Sequence, residues 1–307
     1  MPMSHYPGGF ASGVSIRNVP ITQMHPGEVF WVDNSSVTPP RGTHKGADGA
    51  ATFSRPVNSI TKALALCVGG RGDMIMVKPG YTETISAAAG ISITKAGVAI
   101  VGLGTGTSRP TITIDTADTA DVDIDAANVT ISNIIFSANF DDIVALIDVN
   151  ATDFTLHKCH FQAQAVDMNI LVCVQDAAAA ASSRMTLVEN TSSMLDAADT
   201  HWVNLAGTGD GHYIAGNVLH GDWGTMCIGG AGVVTHCTIV DNRIFNEATD
   251  ADACISMAAT ATGIMSNNHS AGGHATQGHI PGDLGSIENY YELSTSDLSG
   301  ILEPANA

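Results

Sequence analysis

Six segments between Val129 and Ser270 share one frame: NVTISNIIF, DFTLHKCHF, RMTLVENTS, GHYIAGNVL, HCTIVDNRI and ATGIMSNNH. Their central apolar residues are Ile131, Leu156, Leu187, Ile214, Ile239 and Ile264, separated by 25, 31, 27, 25 and 25 residues. A repeat of this period constrains the fold more than any other feature of the chain. Apolar residues alternate around each anchor, as in Val129 and Ile131 or Phe154 and Leu156. That is the period of a strand with one buried face. Most repeats carry a second apolar run: Ala145 to Val149, Ile170 to Val174, His201 to Leu205, Thr225 to Ile228 and Ala253 to Met257. The turns between are rich in Gly, Asn, Asp and Ala, and no long amphipathic helix intervenes. Strands that return in one orientation at this spacing, without helices, stack as the coils of a parallel β-solenoid.

Three positions after each anchor stand Ile134, Cys159, Asn190, Asn217, Asn242 and Asn267. Asn tolerates the left-handed backbone of a sharp corner and can hydrogen-bond to its own kind along a column. The spacing therefore predicts a ladder of Asn190, Asn217, Asn242 and Asn267. With Ile75 and Val101 as earlier anchors, seven steps of about 4.8 Å give a rod on the order of 34 Å long.

The chain has 307 residues, and a solenoid of that length reads as one elongated domain. Twelve Lys and Arg stand against thirty Asp and Glu, a net charge of −18, which argues against a nucleic-acid or anionic-membrane surface. No apolar run approaches the roughly 18 residues needed to cross a bilayer. The start, MPMSHYPGGF, has neither the basic residues nor the apolar stretch of a signal peptide. Six cysteines fall in the Asn column, in strand runs and on the helix, as small apolar residues of a reduced protein.

Four segments follow. Residues 1–50 form an arm broken by Pro and Gly, with short strands at Val14 to Val19 and Val29 to Val32; it reads equally as an attachment arm or a capping strand pair. Residues 51–80 hold a helix capped by Ser59, with Ile60, Ala63, Leu64 and Cys67 on its apolar face and Gly69 and Gly70 at its end, and then the first strand. Such a helix would cover the open end of a solenoid. Residues 81–275 are the β-helix, and 276–307 a polar C-terminal cap and tail.

The stretch TFSRPVNSITKALALC, with GDMIMVKPGYTETI after it, is similar to the start of right-handed parallel β-helix proteins of the pectin-lyase-like class. The wider pattern, with GEVFWVD before it and AGVAIVGLGTG after it, resembles a group of bacteriophage virion proteins over about residues 28–165. The resemblance implies a right-handed parallel β-helix of about eight coils and a place in a virion, assembled in the host cytoplasm.

Pectin-lyase-like enzymes carry acidic residues, often with Ca²⁺, and a basic residue on an outer face of the central coils. Here the central coils hold only Lys158, Arg184 and Arg243. Asp121, Asp123 and Asp125 share one face of a strand and are weak candidates for a cation. His157, Cys159 and His160 lack a fourth zinc ligand at suitable spacing. The glycines at 102, 104 and 106 lead into a strand instead of the helix that a phosphate cradle needs. No catalytic residue and no cofactor is expected. The resulting expectation is a non-enzymatic head-decoration (cement) protein, a homotrimer that docks through its terminal arms on the phage major capsid protein or another virion protein, without nucleic acid or membrane. The alternative is a tail spike, fibre or receptor-binding protein that binds or depolymerises host surface polysaccharide, as a lyase or glycoside hydrolase would.

Overall fold

Two columns of left-handed residues cut this chain into its strands. Gly97, Asn128, Asp153, Arg184, Gly211 and His236 take positive φ before successive strands of one sheet, and Asn133, Lys158, Glu189, Gly216, Asp241, Asn267 and Glu288 take it after them. L-residues enter that region at a cost of about 1 kcal/mol or more, so these columns mark corners of the coil, with further left-handed residues such as Ala89, Thr116 and Asp142 at turns outside them. The computed structural model describes residues 14–16, 19–21, 27–34, 51–53, 55–165, 167–176, 182–194, 198–248, 253–272, 278–292 and 301–303.

The result is a right-handed parallel β-helix with three sheets. The first sheet has ten strands and runs from Val29–Val32 and Met74–Val77 to Asp283–Ile287. The second, also of ten, begins at Thr82–Ile85 and ends at Asn289–Glu292 with an antiparallel strand, Ile301–Glu303, on its edge. The third has eight, from Ile91–Ile93 to His279–Ile280. Eight coils, the first starting at Met74, are thus complete in three strands. A ninth supplies the first two sheets only.

The interior is apolar because alternate residues of every strand face inward. Within the second sheet Phe136 and Phe161 are register partners with rings stacked 5.3 Å apart, and Trp202 meets Phe161 edge-on at 6.2 Å. All six cysteines are free and buried, and burial pushes the Cys159, Cys237 and Cys254 thiols up to about 12.

At the first coil the core is closed by a helix, Ile60–Leu66 (α1). The Ser59 side chain accepts from the Lys62 amide, and Ile60, Ala63 and Leu64 are buried beneath it. Glu83, which faces the open end, accepts from the Ile60 amide at 3.3 Å and from the Tyr81 hydroxyl. The helix ends at Leu66, ahead of the expected glycines, with Cys67 already extended.

The Asn column differs from expectation at one end. Asn190, Asn217 and Asn242 are buried, and each donates its backbone and side-chain N–H groups to the next Oδ1 at 2.9–3.1 Å. Below them Cys159 donates its backbone N–H to Asn190. Above, the column passes through Asn268 and Asn289, not Asn267. Asn267 is the exposed left-handed residue of that corner, with its Nδ2 on Asp241. The same one-residue shift moves the anchor: Met265 pairs with Ile239 and is buried, whereas Ile264 is 53 % exposed. Val101 shifts likewise, because Ile100 is the partner of Ile75 and Ile131. Val101 faces outward in a small cluster with Met74, Met76 and Leu103.

Two segment boundaries also move. Val29–Val32, expected in the arm, is a strand of the first sheet, and the sheets continue past residue 275 to Glu292. In the arm, Val14–Ile16 and Val19–Ile21 form an antiparallel pair that joins none of the three sheets. Residues 1–13, 17–18, 22–26 and 35–50 of the arm and 293–300 and 304–307 of the tail lie outside the described residues.

Candidate functional site

The strand that follows each Asn corner builds the second sheet, and its outer face changes character along the rod. Outward positions lie in two columns because side chains alternate across a strand. In the first column Thr82 and Thr111 lead to Val218, Arg243, His269 and Tyr290. In the second, Thr84 and Thr113 lead to His220, Phe245, Ala271 and Glu292. The last four coils therefore present aromatic, imidazole, guanidinium and carboxylate groups side by side, one strand spacing (about 4.8 Å) apart.

These residues line a groove of about 600 Å³. His220 Nε2 meets Glu247 Oε1 at 2.8 Å, and the His220 ring stands against Phe245 at 5.3 Å. His269 lies 5.2 Å from the Tyr290 ring. Val218, Phe245 and Tyr290 are each 40–52 % exposed, a large apolar exposure for residues so close together. Arg243 has no ion pair among the described residues; Asp241, its neighbour in sequence, is instead bonded by Asn267. Such a face offers rings for stacking and a few charged groups for orientation. It can bind an extended chain laid across the strands.

The sequence-derived cation candidates lie elsewhere. Asp121, Asp123 and Asp125 are on the outer side of the third sheet, where Asp123 pairs in register with Asp148. Residues two apart on a strand are about 6.8 Å apart, too far for three carboxylates to converge on one ion. Two of them have protein partners: Asp121 accepts from the Ala89 amide, and Asp125 from Ser92 at 3.2 Å and Asn150 at 3.3 Å. No group of three His, Cys, Asp or Glu side chains suited to a metal occurs among the described residues. Burial, with Asp121, Asp125 and Asp148 nearby, pushes the Asp123 carboxyl up to about 6. The glycine-rich turn is a packing feature. A methyl group at Gly102 would sit 2.3 Å from the Asn133 carbonyl oxygen, and the Asn133 amide donates to Gly102 and Gly104.

The groove residues were missed in the sequence because scattered histidines carry no motif. Sliding the Asn frame on by one and three residues would have found both columns.

No family model matches the chain, and no protein of curated function matches it. Among solved structures, a rhamnogalacturonan lyase is similar at 13 % identity and a TM-score of 0.46, over 87 % of this chain and 73 % of that one. A protein named Geobacillus virus E2 ORF18 is similar at 11 % identity and a TM-score of 0.31, over 79 % and 59 %. A GH136 lacto-N-biosidase from Eubacterium ramulus is similar at 9 % identity and a TM-score of 0.34, over 87 % and 68 %. Within the described residues no helix is long and apolar enough to cross a membrane.

Proposed function

We propose that the chain is a non-enzymatic structural protein of a phage virion, a head-decoration protein that docks on the major capsid protein or another virion protein as a homotrimer. The observation that carries this reading is the N-terminal hairpin: a strand pair, VSI with VPI, that among the described residues joins none of the three sheets. A two-stranded hairpin is marginal on its own in water, so this one is suited to being ordered by a partner. The rigid rod and the net charge of −18 suit a soluble subunit that adds to a surface after assembly. The test is occupancy on particles stripped of the protein. The full chain should rebind, whereas a chain lacking residues 1–26 should not, while keeping its far-UV β signature. Equal occupancy by the two chains would remove the arm's role.

A second reading is favoured by the groove. An aromatic- and carboxylate-lined face is what a spike or receptor-binding protein needs to grip host polysaccharide. Release of new reducing or unsaturated ends from capsular polysaccharide would establish cleavage, and retention on a polysaccharide column without cleavage would establish binding alone.

A further inference from the structure

We propose that the groove on the second sheet is a contact between copies of this chain, and that it receives the N-terminal hairpin of a neighbouring copy.

Three observations support this. First, the hairpin needs a surface. Its strands are VSI and VPI, and among the described residues they pair only with each other. Second, the charges match. Residues 1–27 contain one Arg, Arg17, and no Asp or Glu, so all thirty acidic residues lie after them. The groove is bordered by four exposed carboxylates, Asp241, Glu247, Glu288 and Glu292, against the single Arg243. An acid-free arm is the part of this chain that meets least repulsion there. Third, the hairpin of the same chain cannot cover the groove, because its base falls short of every groove strand and only its tip could touch the nearest ones. The chain is fixed at Glu28, whose amide donates to Asp73 at 2.8 Å and whose carbonyl accepts from Met74 at 2.9 Å. The seven residues from Ile21 to Glu28 span at most about 24 Å. The strand of Phe245 lies seven steps of about 4.8 Å, or roughly 34 Å, along the axis. The groove's exposed rings and the hairpin are therefore better matched between molecules than within one. A contact of this kind is heterologous, and it gives a closed ring when the rotation between copies closes.

The inference rests on the decoration reading's oligomer and names a neighbouring copy, not the capsid protein, as the partner that orders the hairpin. It is tested on the free protein, without particles, so the two can fail separately. The masses of the full chain, a chain lacking residues 1–26 and Phe245→Glu are measured by light scattering at micromolar concentration. Phe245 is 52 % exposed, so glutamate is accommodated there without disturbing the core. The full chain should have the mass of two or more chains, and each variant that of one. Mixing the two variants should restore a two-chain complex, because one intact arm then meets one intact groove. Ile16→Asp in the full chain serves as a second arm variant and should also be a single chain. A full chain that stays single, a variant that keeps the full chain's mass, or a mixture that stays separate would each overturn the proposal. So would a single full chain retained by a polysaccharide, which would assign the groove to sugar.

Discussion

Asn242 shows how much one side chain carries in a stacked fold. Its Oδ1 accepts from the amide and side chain of Asn217 at 3.1 and 2.9 Å, and its Nδ2 donates to Ile214 O and Asn268 Oδ1 at 3.0 and 2.9 Å. All are buried. Asn242→Ala leaves two donors and a carbonyl without partners in a dry core, so it should cost about 3–5 kcal/mol. Asn267→Gly, one corner on, should change stability by less than about 0.5 kcal/mol, because glycine accepts the left-handed backbone freely. Urea midpoints of the two variants decide this, and equal losses would place the column through Asn267 after all. Titration adds a second prediction. Burial holds His201 and His212 down to about 4, so the unfolded chain takes those protons first and stability is lost as pH falls from about 6.5 towards 4. Asp123 works in the opposite direction. With its carboxyl pushed up to about 6 by burial and then by Asp121, Asp125 and Asp148, the folded state keeps that proton longer. Its contribution is present below about 3.8 and is lost as pH rises through 6. Asp123→Asn should therefore raise Tm at pH 8 by about 2 °C, a gain that shrinks several-fold by pH 4. A gain that grows on acidification would contradict this sign.

Among the elements, the strand Thr262–Ser266 is the sharpest test of register. Met265 is buried and Ile264 is 53 % exposed. Met265→Ala should cost about 2–5 kcal/mol and Ile264→Ala less than about 0.5 kcal/mol, read as the shift in urea midpoint. The reverse order would restore the register expected from sequence. That expectation failed at Ile264 and at Val101 for one reason. In both strands two adjacent residues are apolar, Ile264 with Met265 and Ile100 with Val101, so a period of two cannot tell inside from outside. At Leu156 the polar neighbours Thr155 and His157 settle the question. At Leu187 and Ile239, each followed by a valine, the single Asn three positions on settles it, whereas the doublet Asn267-Asn268 leaves the last repeat open. At these three the anchors read from the sequence are the buried residues. The second sheet was harder to see. Thr191, Ser192 and Ser193 are polar on both faces, yet they form a strand because strands before and after them in the stack supply the hydrogen bonds. The corners were equally silent. Left-handed positions are filled by Asn, Asp, Gly, Lys, Arg, His and Glu, since an exposed corner asks only for a tolerable backbone and sets no side chain. The candidate groove lies on this same poorly legible sheet, and of its residues the sequence alone points to Arg243 and no other.

At the scale of the whole molecule, a solenoid must do something with the unpaired backbone at its two ends. Near the start, α1 covers the core, while Asn34 acts as a one-residue strand: its side chain donates to Thr82 O and accepts from the Thr82 amide, at the free edge of the second sheet. At the far end the first sheet finishes on Asp283–Ile287, a strand that starts on one acid and is followed by another, Glu288. Charges so placed discourage a second chain from adding to the edge. The second sheet uses a different device. Ile301–Glu303 pairs antiparallel with Asn289–Glu292, with Tyr290 opposite Leu302 and Tyr291 opposite Ile301. An antiparallel strand reverses the stacking direction, so the next coil of another molecule cannot simply continue the ladder. Removing it by ending the chain at Glu292 would bare a parallel edge that carries two tyrosines. Such a chain should keep its β signature and yet scatter light progressively at 37 °C, where the full chain stays clear. A truncated chain as soluble as the full one would mean that the acids around this end, not the reversed strand, are what keep the rods from growing into one another.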